Sequence, residues 1–238
     1  WSQWLCHWHR PPGGLPQAHG AERLAVGAAL GVPSAAPKDP RGTPADDANG
    51  PVIQATRLLR SAFPQLYVAC DVCLCAYTSH GHCGLLNDDR IDNAASVERL
   101  VQVALAYAGA GAHMVAPSDM MDNRIGAIKA ALQNSGRTDV ALMSYAAKYA
   151  SALYARSAPP APRRDRGPSC LPAAARLRRV WVAALLRDAA EGADVIMVKP
   201  GLAYTLCAWP RRSAPRPSPC SQVSGEYAML KAAAAAGA

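Results

Sequence analysis

The sequence predicts an α/β protein built on a parallel sheet, and three observations predict it. Short apolar runs with strand character alternate with amphipathic stretches of helical period, the βαβ rhythm. Residues of unusual chemistry fall directly after the apolar runs, where parallel architectures place their ligands. Apolar residues make up 50% of the 238-residue chain, ample for a core.

Residues 1–22 are rich in Trp, His, Gly and Pro, show no recognisable pattern and are expected to be disordered. They begin without Met, as expected of a fragment, and lack the basic flank and long apolar run of a signal peptide. Residues 24–32 form a weak strand ended by Pro33, and 34–50 a polar loop. A helix follows Asn49, with Pro51 at its first position and Val52, Ala55, Leu58 and Leu59 on one stripe. Residues 66–72 form a strand. The clearest helix carries Val97, Leu100, Val101, Ala104, Leu105 and Ala108 at helical spacing, with Asn93 or Ser96 as cap. A strand at 113–116, a helix using Ile125, Ile128 and Leu132, and a strand at 139–144 follow. The rhythm breaks at 155–180 and again at 203–221, where Pro, Ala and Arg dominate. Between them lie a helix near 180–190 and a strong strand at 194–198. Residues 222–226 offer one more strand, and 228–236 an Ala-rich helix. The expected organisation is an unassigned 1–22 and one partial barrel domain over 23–238.

The net charge of +8 invites a nucleic-acid reading. Its distribution argues against one. The excess sits in the two Pro- and Arg-rich stretches, without interleaved aromatic residues, and the rest of the chain is close to neutral. Such stretches are expected to be disordered insertions rather than base-reading surfaces. No run of eighteen apolar residues exists, and no Gly-x-Gly-x-x-Gly or Walker loop appears. No membrane span, nucleotide or nucleic-acid partner is expected.

Two features carry chemistry. The first is the stretch Cys70-Asp71-Val72-Cys73-Leu74-Cys75 through His80-Gly81-His82-Cys83, which holds four of the eight cysteines. A chain this long and apolar is not a disulfide scaffold, so clustering with histidine favours a metal. Three thiolates at Cys73, Cys75 and Cys83 can hold Zn²⁺ and leave a fourth position for water or substrate. A closed structural site with Cys70, His80 or His82 as fourth ligand fits the spacing equally. The second feature is the lysines. Only five exist, and Lys148 and Lys199 both follow apolar strand segments. A neutral amine attacks a ketone to form a Schiff base, and burial beside a second cation favours the neutral form. A lone lysine at a strand end more often snorkels to the surface. Two at matching positions beside a thiolate loop tip the balance toward catalysis. Asp71, Ser118, Asp119 and Asp122 are candidate positioning or proton-transfer groups, each alone also readable as a loop or cap residue.

Five motifs in order resemble one family. Residues 68–84 resemble the zinc loop of the delta-aminolevulinic acid dehydratase (porphobilinogen synthase) family. Val115-Ala-Pro-Ser-Asp-Met-Met-Asp-Asn-Arg124 resembles its next strand end, and Met143–Ser151 the segment with its first active-site lysine. Met197-Val-Lys-Pro-Gly201 resembles the Schiff-base segment, and Val223–Met229 the following strand end. The resemblance implies a TIM-type (β/α)₈ barrel, incomplete here because the first and last strands have no counterpart; such a barrel typically needs about 250 residues. It implies a hydro-lyase that condenses two 5-aminolevulinate molecules into porphobilinogen, for haem and chlorophyll. Lys199 resembles the central Schiff-base lysine, Lys148 its partner, and Cys73, Cys75 and Cys83 the Zn²⁺ ligands. Ser224 is similar to a carboxylate-binding serine, while Asp71, Ser118, Asp119 and Tyr154 match pocket residues. The arginine segment of the family has no clear match in 155–180, where Arg156 or Arg166 stands in. The resemblance further implies a homo-octamer in cytoplasm or plastid. The alternative is an inactive zinc-binding fragment or basic interaction protein.

Overall fold

The computed structural model describes residues 5–7, 26–32, 37–148, 153, 178–201 and 219–237. The stretches read as disordered or irregular, 155–180 and 203–221, lie almost wholly outside these residues, as do Tyr154 and Arg156. The chain comprises two compact units, one ending at Ala141 and one starting at Leu142. No described helix is long and apolar enough to cross a membrane.

In the first unit, β1 (Leu5–His7), β2 (Val26–Leu30), β3 (Tyr67–Val72) and β6 (Met114–Pro117) form parallel neighbours in that order. The strand at 5–7 falls where the sequence shows no pattern. Helix α1 (Pro51–Ala62) joins β2 to β3, and α2 (Asn93–Gly109) lies between β3 and β6. Helix α3 (Arg124–Asn134) follows β6.

The periodicities become burial directly. Val68, Cys70, Val72 and Val115 of the strands are fully buried, as are Leu100, Val103, Ala104 and Tyr107 of α2 and Ile125 and Ile128 of α3. Each large aliphatic side chain of this kind contributes about 1.5–3 kcal/mol. Pro51 opens α1 as expected, behind Gly50. Helix α2 is capped one residue earlier than expected, by Asp92, whose carboxylate accepts the Ala95 N–H at 3.0 Å. The chain leaves α2 through Gly111 and α3 through Gly136, both at positive φ.

A hairpin that periodicity does not reveal, β4 (Leu85–Asn87) with β5 (Arg90–Asp92), precedes α2. Asp88 and Asp89 both take left-handed backbone in its two-residue turn, as tight hairpins require.

In the second unit, β7 (Ala141–Lys148) and β8 (Val195–Lys199) are parallel, with α4 (Arg178–Ala190) leading into β8. Buried Leu142, Ala146, Ala147, Leu185, Ile196 and Val198 form its core. The strand expected at 222–226 is not there. Residues 219–221 make a single parallel bridge, Cys220 with Val198, and helix α5 (Ser224–Ala235) begins at Ser224. The helix wins because Glu226 sits at its third position. Its carboxylate accepts the Val223 N–H at 2.9 Å, satisfying a donor at the helix start.

Candidate functional site

The metal loop starts where β3 ends. Val72 and Leu74 are fully buried, which anchors the backbone on either side of Cys73. The loop turns on Leu74, whose carbonyl accepts from Tyr77 N (2.8 Å) and Thr78 N (2.9 Å). Thr78 Oγ1 donates to the His82 carbonyl at 2.8 Å, and Gly81, at φ 75°, reverses the chain toward Cys83. Gly84 lets that return lie against α2, since a Cβ there would stand 2.5 Å from Ser96 Oγ. Leu85 N then donates to Ser96 Oγ at 2.8 Å.

These turns bring three thiols together. The Sγ atoms of Cys73, Cys75 and Cys83 lie within 4.8 Å of one another, and Cys73 Sγ is 3.4 Å from Cys75 Sγ. Thiolates about 2.3 Å from a tetrahedral ion stand about 3.8 Å apart, so the spacing suits a metal. It is well beyond a disulfide bond of about 2.05 Å, and none of the three is in a disulfide. Cys73 and Cys83 are buried and Cys75 is exposed.

Cys70 and His80, two of the alternative ligands, are engaged by other groups. Cys70 points into the core and shares a hydrogen bond with Thr56 Oγ1 at 3.3 Å. Burial pushes its thiol up to about 11, with a smaller push from Asp71, against the metal-binding thiolate form. His80 Nε2 meets the Pro40 carbonyl at 3.2 Å and His80 Nδ1 accepts the His82 N–H at 3.2 Å, so both ring nitrogens are engaged.

Among the pocket candidates of this unit, Asp71 is half-buried on β3, opposite Ala116. Ser118 continues the sheet, donating its N–H to the Val72 carbonyl at 3.0 Å. Asp119 is fully buried, accepts the Met121 N–H at 2.8 Å and pairs with the equally buried Arg124 at 3.5 Å. Asp122 is exposed and exchanges hydrogen bonds with Asn93.

The second unit holds the lysine pair. Lys148 ends β7, Lys199 ends β8, and the two are register partners. Simple alternation would not give this arrangement. Ser144 faces α4, donating to Asp188 Oδ2 at 2.5 Å, and strict period two would send Lys148 the same way. A bulge between Tyr145 and Ala147 breaks the parity. Lys148 therefore shares a face with Tyr145, its Nζ 5.6 Å from that ring's centroid. Both lysines are half-buried.

The loop after Lys199 is clamped by a residue that sequence reasoning passed over. Glu226 is fully buried, and its Oε2 accepts both the Gly201 N–H (3.1 Å) and the Val223 N–H (2.9 Å). Ser224, the carboxylate-binding candidate, is exposed on the first turn of α5. The available signal was the acidic residue three positions beyond Val223, a capping pattern read as strand instead.

Comparison with known proteins identifies the family. The family model "Delta-aminolevulinic acid dehydratase" matches residues 18–238. The delta-aminolevulinic acid dehydratase of Bos taurus is 50% identical over 219 residues, covering 88% of this chain and 65% of the bovine one. That of Eremothecium gossypii is 51% identical over 212 residues, covering 84% and 61%. Among solved structures, the Toxoplasma gondii enzyme in complex with its reaction product porphobilinogen matches with a TM-score of 0.78 at 35% identity, over 88% of this chain and 61% of that one. This chain thus spans somewhat less than two thirds of the length of these relatives. The structural match carries the fold class, a TIM-type barrel architecture of parallel strands and helices. Family model, sequence identity and structural match agree, and the chain belongs to the delta-aminolevulinic acid dehydratase family.

Proposed function

We propose that this chain carries porphobilinogen synthase chemistry: two 5-aminolevulinate molecules condense to porphobilinogen with loss of two waters. The observation that carries the reading is the register pairing of Lys148 with Lys199 at the C-terminal ends of adjacent strands. Such ends are where barrel enzymes hold reacting groups. In this reading the Lys199 amine attacks the ketone of one substrate, water leaves, and a Schiff base forms. Lys148 does the same for the second substrate or holds a charge beside the first. Ser224 binds a substrate carboxylate, with Arg156 and Tyr154 contributing from outside the described residues. In the first unit, Ser118 and Asp71 are candidate substrate-contacting groups, and Asp119 holds its loop through Arg124 and the Met121 N–H.

Cys73, Cys75 and Cys83 would hold Zn²⁺, leaving one coordination position open for a small molecule. Bound there, zinc would supply Lewis acidity toward a substrate oxygen. The same proposal includes self-association into a homo-octamer, read by light scattering.

Borohydride reduction in the presence of 5-aminolevulinate tests the proposal. An adduct mapped to Lys199 by peptide mass spectrometry, absent in Lys199→Met, supports it, as does pyrrole formation. No adduct from a chain that still binds metal through its thiols would overturn the catalytic reading in favour of a non-catalytic metal-binding fragment.

A further inference from the structure

Helix α2 grips the metal loop from two sides with residues one turn apart. On one side, Ser96 Oγ accepts the Leu85 N–H at 2.8 Å, two residues past Cys83. On the other, Arg99 reaches behind the loop. Its side chain is only 6% exposed. Its Nε donates to the Arg41 carbonyl (3.3 Å), and one terminal nitrogen donates to the carbonyls of Gly42 (3.2 Å) and Thr43 (3.4 Å). Both terminal nitrogens bind the Asp46 carboxylate, at 2.5 and 2.7 Å. A guanidinium spread over three carbonyls and one carboxylate fixes segment 41–46 as a rigid body.

That segment backs the metal loop. The Asp39 carbonyl accepts the Ser79 N–H at 3.0 Å, and Asp39 bridges to Thr78 as a short parallel pair. The Pro40 carbonyl contacts His80 Nε2. Gly42, at φ 61°, packs so closely that a Cβ would touch Leu74, Tyr77 and Thr78 at 3.4–3.5 Å. These are the residues between Cys73 and Cys83, whose backbone sets the thiol spacing.

We infer that Arg99 is the positioning residue of the Cys73/Cys75/Cys83 metal centre, holding segment 39–46 as the template against which the three thiolates are spaced. The inference rests on the metal-binding reading proposed above. A guanidinium that only stabilised the fold would leave metal affinity in the folded protein unchanged. One that spaces the ligands sets that affinity, because thiolates displaced by even half an ångström lose tetrahedral geometry.

The test uses the full chain and Co²⁺ as probe, read by thiolate-to-cobalt charge-transfer and d–d absorption alongside far-UV circular dichroism and thermal melting. Arg99→Met is expected to weaken Co²⁺ binding at least tenfold and to distort the tetrahedral d–d bands. Arg99→Lys keeps the Asp46 contact but loses the carbonyl fork, so it should recover only part of that affinity. Leu132→Ala, in the buried face of α3, serves as the control for stability. It should lower the melting temperature while leaving Co²⁺ affinity within twofold of the unsubstituted chain. Should Arg99→Met fail to fold, Asp46→Asn gives the same readout, with at least threefold weakening expected. Unchanged Co²⁺ binding in the Arg99 and Asp46 variants, or equal weakening in Leu132→Ala, overturns the role of Arg99 and leaves the metal site standing. No thiolate–cobalt band in the unsubstituted chain overturns the metal reading and this inference with it.

Discussion

Replacing Glu226 by alanine probes the segment after Lys199 most sharply. Two buried backbone donors, Gly201 N–H and Val223 N–H, converge on one oxygen, Oε2, of a carboxylate with no solvent exposure. Alanine removes that acceptor and leaves both N–H groups buried. Each unsatisfied buried donor costs about 1–3 kcal/mol, so the variant should lose about 2–6 kcal/mol. Glutamine behaves differently because both bonds use a single oxygen. An amide oxygen placed there keeps both of these bonds and forfeits their charge assistance, about 1 kcal/mol. Urea unfolding followed by circular dichroism gives the ordering, and amide hydrogen exchange of a peptide spanning 199–201 locates the effect. Faster exchange at Gly201 is expected in Glu226→Ala and near-normal exchange in Glu226→Gln. The reasoning is refuted if Glu226→Ala costs under about 1 kcal/mol, or if glutamine is as damaging as alanine.

Further outcomes follow from the same geometry. Cys75→Ser should abolish thiolate–cobalt absorption or weaken Co²⁺ binding strongly, whereas Cys70→Ser, whose side chain lies in the core beside Thr56, should retain the metal band. Stability should fall as pH drops below about 6.5. His113 accepts the Val68 N–H at Nδ1 and has the Arg60 guanidinium 2.6 Å from Nε2, while Asp139 offsets this weakly. Burial first, then Arg60, holds its pKa below the ordinary value. The unfolded chain therefore takes the proton first, and stability present above the unfolded pKa is lost as pH falls toward the folded one. Thermal melts of His113→Gln between pH 5 and 8 should show that component removed. Tyr107→Phe should cost about 1–2 kcal/mol in urea unfolding, because the buried Tyr107 hydroxyl donates to the Ala45 carbonyl at 2.9 Å.

Much of the fold was legible because burial follows period. Leu100, Ala104 and Ala108 of α2 and Ile125, Ile128 and Leu132 of α3 were named from spacing alone, and all are buried. The thiol cluster was legible because its ligands are local: a C-x-C-x₇-C loop closes on itself within eleven residues. Residues whose work is non-local were not legible. Arg99 sits next to the apolar stripe of α2 and draws no notice in the sequence, because its Asp46 and Gly42 partners lie more than fifty residues upstream. Glu226 reads as part of a strand because the demand for its carboxylate comes from Gly201, 25 residues away. Ser144 and Asp188 are unremarkable singly and meaningful only as a buried pair.

The bulge in β7 has a further consequence, for variation in chain length. Between Tyr145 and Lys148 the strand carries one residue more than its partner needs, since β8 covers the matching interval from Met197 to Lys199 with a single intervening residue. That spare residue is slack. Losing it restores a regular ladder in which Lys148 still faces Lys199, and because positions 146 and 147 are both alanine, deletion of either yields the same chain. Gaining a residue there is different: a second insertion turns Lys148 toward α4. Length changes in this strand are therefore asymmetric, and homologous chains should show gaps at 146–147 far more readily than insertions.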